Sequence, residues 1–236
     1  MYAPAMARHA LIIGGARGIG YGIATRCLDD GWRVTIAGRR SRAEDLEVRG
    51  AAWLQADVSD PTAAAKLIED AGEIDALVVC SGPYHRVPLL KETAEGWRSM
   101  FTNNLDPVFF LAQAALPGMK ERGFGRIITF SMANAERLQA NPFVAAHYIA
   151  KVGVLVLTRT LAKAGGKWGV TANTISPGFI DSGSATPAEL ESMIKHIPAK
   201  RIGTVDEAAA AAAFLLSDDA GYVNGTNVVV SGGWGI

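Results

Sequence analysis

The sequence predicts a three-layer α/β fold in which helices cover both faces of a doubly wound, seven-stranded parallel sheet. Short apolar runs alternate with longer amphipathic runs along the 236 residues. The apolar runs are rich in Val, Ile and Ala and lack polar alternation, which is typical of parallel strands buried on both faces. The resulting βαβα rhythm implies right-handed crossovers between strands of one sheet.

Seven strands are predicted, each of them a short apolar run that ends at a polar or glycine-containing turn. They are His9–Ile13, Arg33–Ala37, Ala51–Gln55, Ala76–Val79, Gly125–Phe130, Thr171–Ile175 and Asn227–Val230. Helical segments are predicted to begin near Gly18, Arg42, Pro61, Thr93, Pro107, Asn141 and Val205. At the third helix, Asp60 supplies an N-cap side chain and Pro61 occupies the first turn, where its missing N–H is not needed.

Composition favours one globular domain over residues 1–236. Hydrophobic residues make up 49% of the chain and charged residues 19%, enough to bury a substantial core. The 23 basic and 23 acidic residues cancel, so nothing indicates a nucleic acid or an anionic membrane as partner. Cys27 and Cys80 lie in apolar stretches, which favours buried reduced thiols over disulfides or a metal site. No segment resembles a signal peptide or a membrane span, and a cytoplasmic protein is expected.

The first strand runs into a glycine-rich turn, residues 14–20 (GGARGIG), and a helix follows at once. Glycine permits a tight turn and lets backbone N–H groups approach a pyrophosphate closely, while the helix N-terminus stabilises the negative charge. The same pattern could be an ordinary strand-to-helix connection, but its position favours a dinucleotide site of the Rossmann type. The residues expected to bind the dinucleotide here are Gly14, Ala16, Arg17, Gly18, Ile19 and Gly20.

The end of the second strand predicts that the dinucleotide is NADP. Sites that prefer NAD carry an acidic residue here, which binds the ribose 2′-hydroxyl. In this chain Gly38 leaves space, and Arg39 and Arg40 offer guanidinium donors suited to a 2′-phosphate. Arg17 could reach the same phosphate. The alternative is that Arg39 and Arg40 are solvated surface residues.

Three more segments are expected near the carboxyl edge of the sheet, where ligands bind in such folds. Asp57 follows the third strand and could bind the adenine amine or cap the next helix. Residues 81–86 follow the fourth strand, and Tyr84, His85 and Arg86 could line a substrate mouth or simply face solvent. Residues 178–200 lack a strong apolar stripe and are predicted to form a mobile flap over the site.

These motifs resemble the short-chain dehydrogenase/reductase family over nearly the whole chain. The family signature TGxxxGxG corresponds to residues 13–20, with Ile13 in place of threonine. Residues 104–109 resemble its NLxGVF segment, so Asn104 matches the catalytic asparagine, and Lys151 matches the catalytic lysine. The resemblance implies an NADP-dependent oxidoreductase. It also implies cofactor contacts from Asp57, Val58, Ser81, Gly82, Lys151, Pro177, Gly178, Ile180 and Ser182.

Two catalytic positions depart from the family pattern. The family places a tyrosine four residues before its lysine, so that both side chains lie on one helix face. Four residues before Lys151 stands His147, and Tyr148 stands three before it. The family serine after the fifth strand corresponds to Met132, with Ser131 one residue earlier.

Three catalytic arrangements follow from this departure. His147 could donate a proton as an imidazolium beside a cationic lysine, or it could be a histidine packed against a neighbouring helix. Tyr148 could donate instead if the helix turn tightens, since residues three apart are also neighbours. In the third arrangement neither acts, and the chain is a dinucleotide-binding scaffold or sensor with weak or absent turnover. Ser131 could polarise a substrate or bond to nearby backbone.

The leading function is therefore NADP-dependent reduction of a carbonyl, C=N or activated C=C bond of a small molecule. Substrates that need little acid assistance suit a site without the tyrosine and serine hydroxyls. The two long helices near Pro107 and Asn141 are apolar around much of their circumference, which favours burial on more than one side. The resemblance then implies a homotetramer or homodimer.

Overall fold

The computed structural model describes residues 7–39, 44–183 and 186–235. Its strands are β1 (His9–Ile13), β2 (Arg33–Gly38), β3 (Ala52–Gln55), β4 (Ala76–Val79), β5 (Gly125–Phe130), β6 (Val170–Pro177), β7 (Ile180–Asp181), β8 (Gly203–Thr204) and β9 (Asn227–Val230). Seven of them form one parallel sheet in the order β3-β2-β1-β4-β5-β6-β9, and β7 pairs with β8 in a separate two-stranded sheet. The predicted doubly wound α/β fold is confirmed.

Eight helices lie in the described ranges. They are α1 (Gly18–Asp29), α2 (Glu44–Val48), α3 (Pro61–Ala71), α4 (Ala94–Asn104), α5 (Asp106–Arg122), α6 (Ala145–Gly165), α7 (Pro187–Ile194) and α8 (Val205–Leu216). Helix α7 was not predicted. It begins with a capping box in which Thr186 and Glu189 bond each other's backbone N–H groups, so it forms without a strong apolar stripe.

Alternate residues of β1 belong to two different cores, as the period of a strand requires. Leu11 and Ile13 pack into the core that α3, α5 and α6 cover, whereas Ala10 and Ile12 pack into the core under α1, α2 and α8. Since both faces of the strand are buried, the sheet needs apolar residues at the four β1 positions from Ala10 to Ile13. This is the physical reason for the uninterrupted apolar run in the sequence.

The predicted N-cap of α3 is confirmed, whereas the predicted start of α6 is not. The Asp60 carboxylate accepts a hydrogen bond from the Ala63 N–H at 2.7 Å, with Pro61 in the first turn. Helix α6 begins at Ala145, four residues after the predicted Asn141. The Asn141 side chain accepts from the Phe143 N–H instead, and this local turn delays the helix.

The outward faces of α5 and α6 carry large apolar side chains. Phe109, Ile149 and Val156 are each about half exposed. This distribution agrees with the expectation that further copies of the chain cover these helices, and the homotetramer stays a prediction. Within the described residues, no helix has the length and apolar character required to cross a bilayer.

Candidate active site

The candidate site lies where the strand order reverses. β1 is flanked by β2 on one side and β4 on the other, so the chain leaves the sheet in opposite directions around the carboxyl end of β1. The Gly14 N–H donates to the Ala37 carbonyl at 2.9 Å, and the Cys80 N–H donates to the Ile13 carbonyl at 3.0 Å. These bonds bring the turns after β1, β2 and β4 together at one crevice, which is the expected ligand position in an open α/β sheet.

The glycines of the first turn are required by its geometry. Gly14 has φ +81° and Gly18 has φ +57°, a left-handed region that favours glycine. A Cβ on Gly14 would lie 3.0 Å from the Cys80 carbonyl oxygen. A Cβ on Gly20 would overlap the Gly14 carbonyl oxygen and lie 2.9 Å from its carbonyl carbon. The turn therefore packs against backbone so closely that neither Gly14 nor Gly20 has room for a side chain.

Helix α1 is one of three long helices in the described part of the chain, with α5 and α6, that begin without a side-chain cap. Among the described residues, no side chain caps its first turn, and the turn contains no acidic residue. Helices α3, α4, α7 and α8 all have a side-chain cap, supplied by Asp60, Thr93, Thr186 and Thr204. The first-turn N–H groups of α1 are thus available to an anion, and Arg17 at the N-cap position is exposed.

Arg39 extends from the end of β2 beside Asp57. Its guanidinium donates to the Asn103 side-chain oxygen at 3.3 Å and lies 4.0 Å from the Asp57 carboxylate. More than half of the Arg39 side chain is exposed, so it remains accessible to a ligand phosphate. Arg40 lies outside the described residues.

The environment of Asp57 excludes one of its two predicted roles. Its carboxylate accepts hydrogen bonds from the hydroxyl and the N–H of Ser59, and these bonds hold the Asp57 pKa below its ordinary value against the effect of burial. The cap of α3 is Asp60, so Asp57 is not the helix cap. The contact with adenine stays a prediction. The neighbouring Val58 side chain lies in the core, so only its backbone is left to contact a cofactor, and that contact stays a prediction.

Lys151 is a buried cation at the inner end of the crevice. The residue is 7% exposed, and its ammonium donates to the Phe130 carbonyl at 3.0 Å. Burial lowers the Lys151 pKa to about 8, although the nearby Cys80 thiol acts in the opposite direction. Burial also raises the Cys80 pKa to about 12. A buried, readily deprotonated lysine of this kind is typical of functional sites.

His147 lies one helical turn before Lys151 and is 6% exposed. Burial and the Lys151 ammonium lower its pKa to about 4, and a hydrogen bond with the Pro83 carbonyl opposes them only in part. The Tyr84 ring packs edge-on against the imidazole, with 5.2 Å between ring centroids. His147 is therefore neutral at neutral pH, which argues against the predicted imidazolium donor.

The hydroxyls of Tyr148 and Ser131 both bond to backbone. Tyr148 donates to the Asn134 carbonyl at 3.0 Å and accepts from the Gln139 N–H at 3.0 Å. Ser131 donates to the Lys151 backbone carbonyl at 2.8 Å. The structure thus brings His147 and Lys151 together and engages the Tyr148 hydroxyl with the loop of residues 134–139.

Asn104 lies at the end of α4 and is 2% exposed. Its amide donates to the Pro83 carbonyl at 3.2 Å and the Met100 carbonyl at 3.0 Å. Gly82 has φ +143°, and a Cβ there would lie 2.9 Å from the Asn104 side-chain amide carbon. Glycine at position 82 therefore allows the turn after β4 to pack directly against Asn104.

The remaining predicted cofactor residues end or follow β1, β4 or β6, at the carboxyl edge of the sheet. Ser182 lies against the turn, where a Cβ on Gly18 would be 3.2 Å from that of Ser182. Pro177 ends β6, Ile180 lies in β7, and Ser81 is partly buried directly after Cys80. Gly178, Ala16 and Ile19 are also partly buried. Two contributors were missed from the sequence. These are the Cys80 thiol and the Pro83 carbonyl, both of which follow β4 at the carboxyl edge.

Comparisons with known proteins agree with this architecture. A family model described as Enoyl-(Acyl carrier protein) reductase matches residues 14–235. The acetoacetyl-CoA reductase of Allochromatium vinosum is 39% identical over 97% of this chain and 98% of its own. A Bacillus subtilis protein named "Probable 2,4-dienoyl-CoA reductase" is 35% identical over 97% of both chains. A solved structure described as a short chain dehydrogenase/reductase family protein superposes with a TM-score of 0.86, at 31% identity and 96% coverage of both chains.

Proposed function

Since the chain belongs to the short-chain dehydrogenase/reductase family, we propose that it is an NADP-dependent reductase of an acyl thioester, with the β-keto carbonyl as the bond reduced. The similarity to an acetoacetyl-CoA reductase supports this substrate class. The substrate is a small molecule that enters the crevice beside Lys151.

One observation carries the proposal, namely that the glycine turn and the buried lysine share one crevice. Gly14 packs against the Cys80 carbonyl, and the Cys80 thiol lies close enough to the Lys151 ammonium for each to affect the other's pKa. A pyrophosphate bound at the turn would therefore lie on the same side of the sheet as the only lysine predicted to act in catalysis.

The residues present fit a dinucleotide. The absence of side chains at Gly14 and Gly20 lets the backbone of the turn pack closely, and the uncapped first turn of α1 supplies N–H donors for a phosphate. Arg39 and Arg17 would hold the 2′-phosphate, and Lys151 would hold the nicotinamide ribose. When bound, the cofactor supplies the hydride for the reduction.

A second candidate reaction is reduction of an activated C=C bond. It is supported by the engagement of the Tyr148 and Ser131 hydroxyls with backbone, because a conjugated thioester can accept hydride with little acid assistance. The similarity to a protein named as a 2,4-dienoyl-CoA reductase points in the same direction.

The test is NADPH oxidation by the purified full chain with acetoacetyl-CoA, a 2-enoyl-CoA, a 2,4-dienoyl-CoA, a dihydropterin and a simple ketone. We expect turnover with acetoacetyl-CoA above that of the other substrates. Turnover with an unsaturated thioester alone would favour the second candidate. If NADPH binds tightly and no substrate is reduced, the chain is a dinucleotide-binding scaffold or sensor, and the reductase proposal is wrong.

Replacing Arg39 with alanine is expected to weaken NADPH binding by about 10- to 100-fold and to leave NADH binding nearly unchanged. The loss corresponds to one charge-assisted contact with the 2′-phosphate, about 1.5–3 kcal/mol. Fluorescence titration of both cofactors measures the effect. Arg26→Ala is the matched control, since Arg26 lies on α1, is also about half exposed and pairs with Asp30 directly after the helix. Equal affinity of the unsubstituted chain for NADH and NADPH would contradict the NADP assignment.

A further inference from the structure

Two side chains that hydrogen-bond the Pro83 carbonyl each carry a buried acceptor atom with no hydrogen-bond partner among the described residues. These acceptors are Nδ1 of His147 and the side-chain oxygen of Asn104. Both side chains bond the same backbone group. The Pro83 carbonyl accepts from the Asn104 amide and hydrogen-bonds the His147 ring. A buried acceptor without a partner is destabilising. Each of these two side chains therefore has a buried acceptor that could still receive a hydrogen bond.

Lys151 is the nearby group that has donors available. An ammonium carries three N–H groups. Within the part of the chain that the structure describes, its recorded acceptor is the Phe130 carbonyl. His147 lies four residues earlier on α6, so its side chain is a neighbour of Lys151 on the same helix face.

The other groups considered as donors are engaged or neutral. The Tyr148 and Ser131 hydroxyls bond to backbone. An imidazolium at position 147 would place a second buried cation beside Lys151, and both burial and that cation oppose it.

We propose that Lys151 itself donates the proton in the reduction, while His147 is a positioning residue that stays neutral and only accepts through Nδ1. This inference rests on the proposed reductase function. It departs from the first two predicted arrangements, in which the His147 or the Tyr148 side chain gives the proton.

The proposed step is balanced as follows. The carbonyl carbon of the substrate receives the hydride that NADPH supplies, and the C=O π pair moves to the oxygen. That oxygen takes one proton from the Lys151 ammonium and becomes a hydroxyl. The neutral amine that remains takes a proton from solvent before the next turnover.

The titratable groups that face this pair lie on the segment after β4, where Tyr84 packs against the His147 ring. The Cys80 thiol, after β4, faces Lys151, and its raised pKa keeps it neutral in the working range. His85 faces His147 from the same loop and lies 3.4 Å from the Glu92 carboxylate. Since the Lys151 pKa is about 8, we expect the reduction rate to fall as pH rises through that value, because the protonated form is the donor.

The decisive variant is Lys151→Arg, which keeps the positive charge for the ribose but does not release a proton at these pH values. We expect it to retain NADPH binding, because the positive charge that faces the ribose is kept. Its kcat should fall by about 100-fold or more, the usual contribution of a general acid. Lys163→Arg, an exposed lysine on the same helix, is the matched control and should change neither quantity.

His147→Gln separates positioning from donation. Its amide oxygen can still accept, so we expect kcat to fall by less than about tenfold, with the midpoint of the pH profile unchanged. A loss of 100-fold together with loss of the pH dependence would show that His147 donates and would overturn the inference.

A second measurement does not depend on turnover or on how Lys151→Arg folds. Nitrogen NMR of the cofactor-free chain, assigned with His147→Gln, should show a His147 ring that stays neutral from about pH 5.5 to about pH 9 and a Lys151 amine that titrates near 8. A His147 ring that gains its proton near pH 7 would overturn the inference. Absence of any turnover in the unsubstituted chain would instead reject the reductase function, and the inference with it. Full activity of a folded Lys151→Arg would reject the inference alone.

Discussion

Replacing Gly20 with alanine is expected to weaken NADPH binding by more than about 100-fold. The added Cβ would overlap the Gly14 carbonyl oxygen, so the turn must open and its N–H groups must move away from the pyrophosphate. Loss of two charge-assisted hydrogen bonds, each about 1.5–3 kcal/mol, accounts for at least two orders of magnitude. Fluorescence or calorimetric titration with NADPH measures the loss directly.

Gly22→Ala is the matched control for this variant. A Cβ on Gly22 would also be crowded, but by the Val205 side chain on α8, away from the turn. Both variants should lose stability, and only Gly20→Ala should lose cofactor affinity. A folded Gly20→Ala that binds NADPH as tightly as the unsubstituted chain would show that the dinucleotide does not lie on this turn.

The stability of the fold is expected to fall steeply in acid because of His147. Its pKa is lowered from 6.5 to about 4 in the folded chain, so the unfolded state takes up the proton first as pH falls. The contribution is fully present above pH 6.5 and is lost between pH 6.5 and 4. At 1.36 kcal/mol per pKa unit, this shift corresponds to a maximum of about 3 kcal/mol.

Urea unfolding at pH 7 and at pH 4.5 tests this expectation. The unsubstituted chain should lose about 2–3 kcal/mol more than His147→Gln between the two values, because glutamine has no proton to take up. His9 is also buried with a lowered pKa and remains in both proteins, so its effect cancels. His196→Gln, at an exposed position, is the control and should behave like the unsubstituted chain. Equal losses in the unsubstituted chain and His147→Gln would refute the buried neutral histidine.

Much of the architecture is predictable because its signals are local. The strands β1, β4, β5 and β9 have the predicted bounds, since each is an apolar run ended by a turn. The glycine turn and the Asp60 cap are also recognisable from neighbouring residues alone. The role of each turn residue toward a cofactor stays a prediction.

The catalytic groups are less predictable because their partners are distant in sequence. The spacing of His147, Tyr148 and Lys151 allows either aromatic side chain to act. The choice depends on partners that only the fold supplies. The Gln139 N–H bonds the Tyr148 hydroxyl, and the Pro83 carbonyl bonds the His147 ring. Helix α7 was missed for a different reason, since its start depends on a capping box and not on an apolar stripe.

The sequence by itself determined the sheet, the family and the position of the glycine turn. Strand periodicity and a glycine-rich turn are patterns of neighbouring residues, so they can be recognised without the fold. Only the tertiary structure decided the charge of His147, the engagement of Tyr148 and the burial of Lys151. These properties follow from desolvation and from hydrogen bonds with β4, β5 and the loops after them, and such neighbours exist only once the sheet has formed.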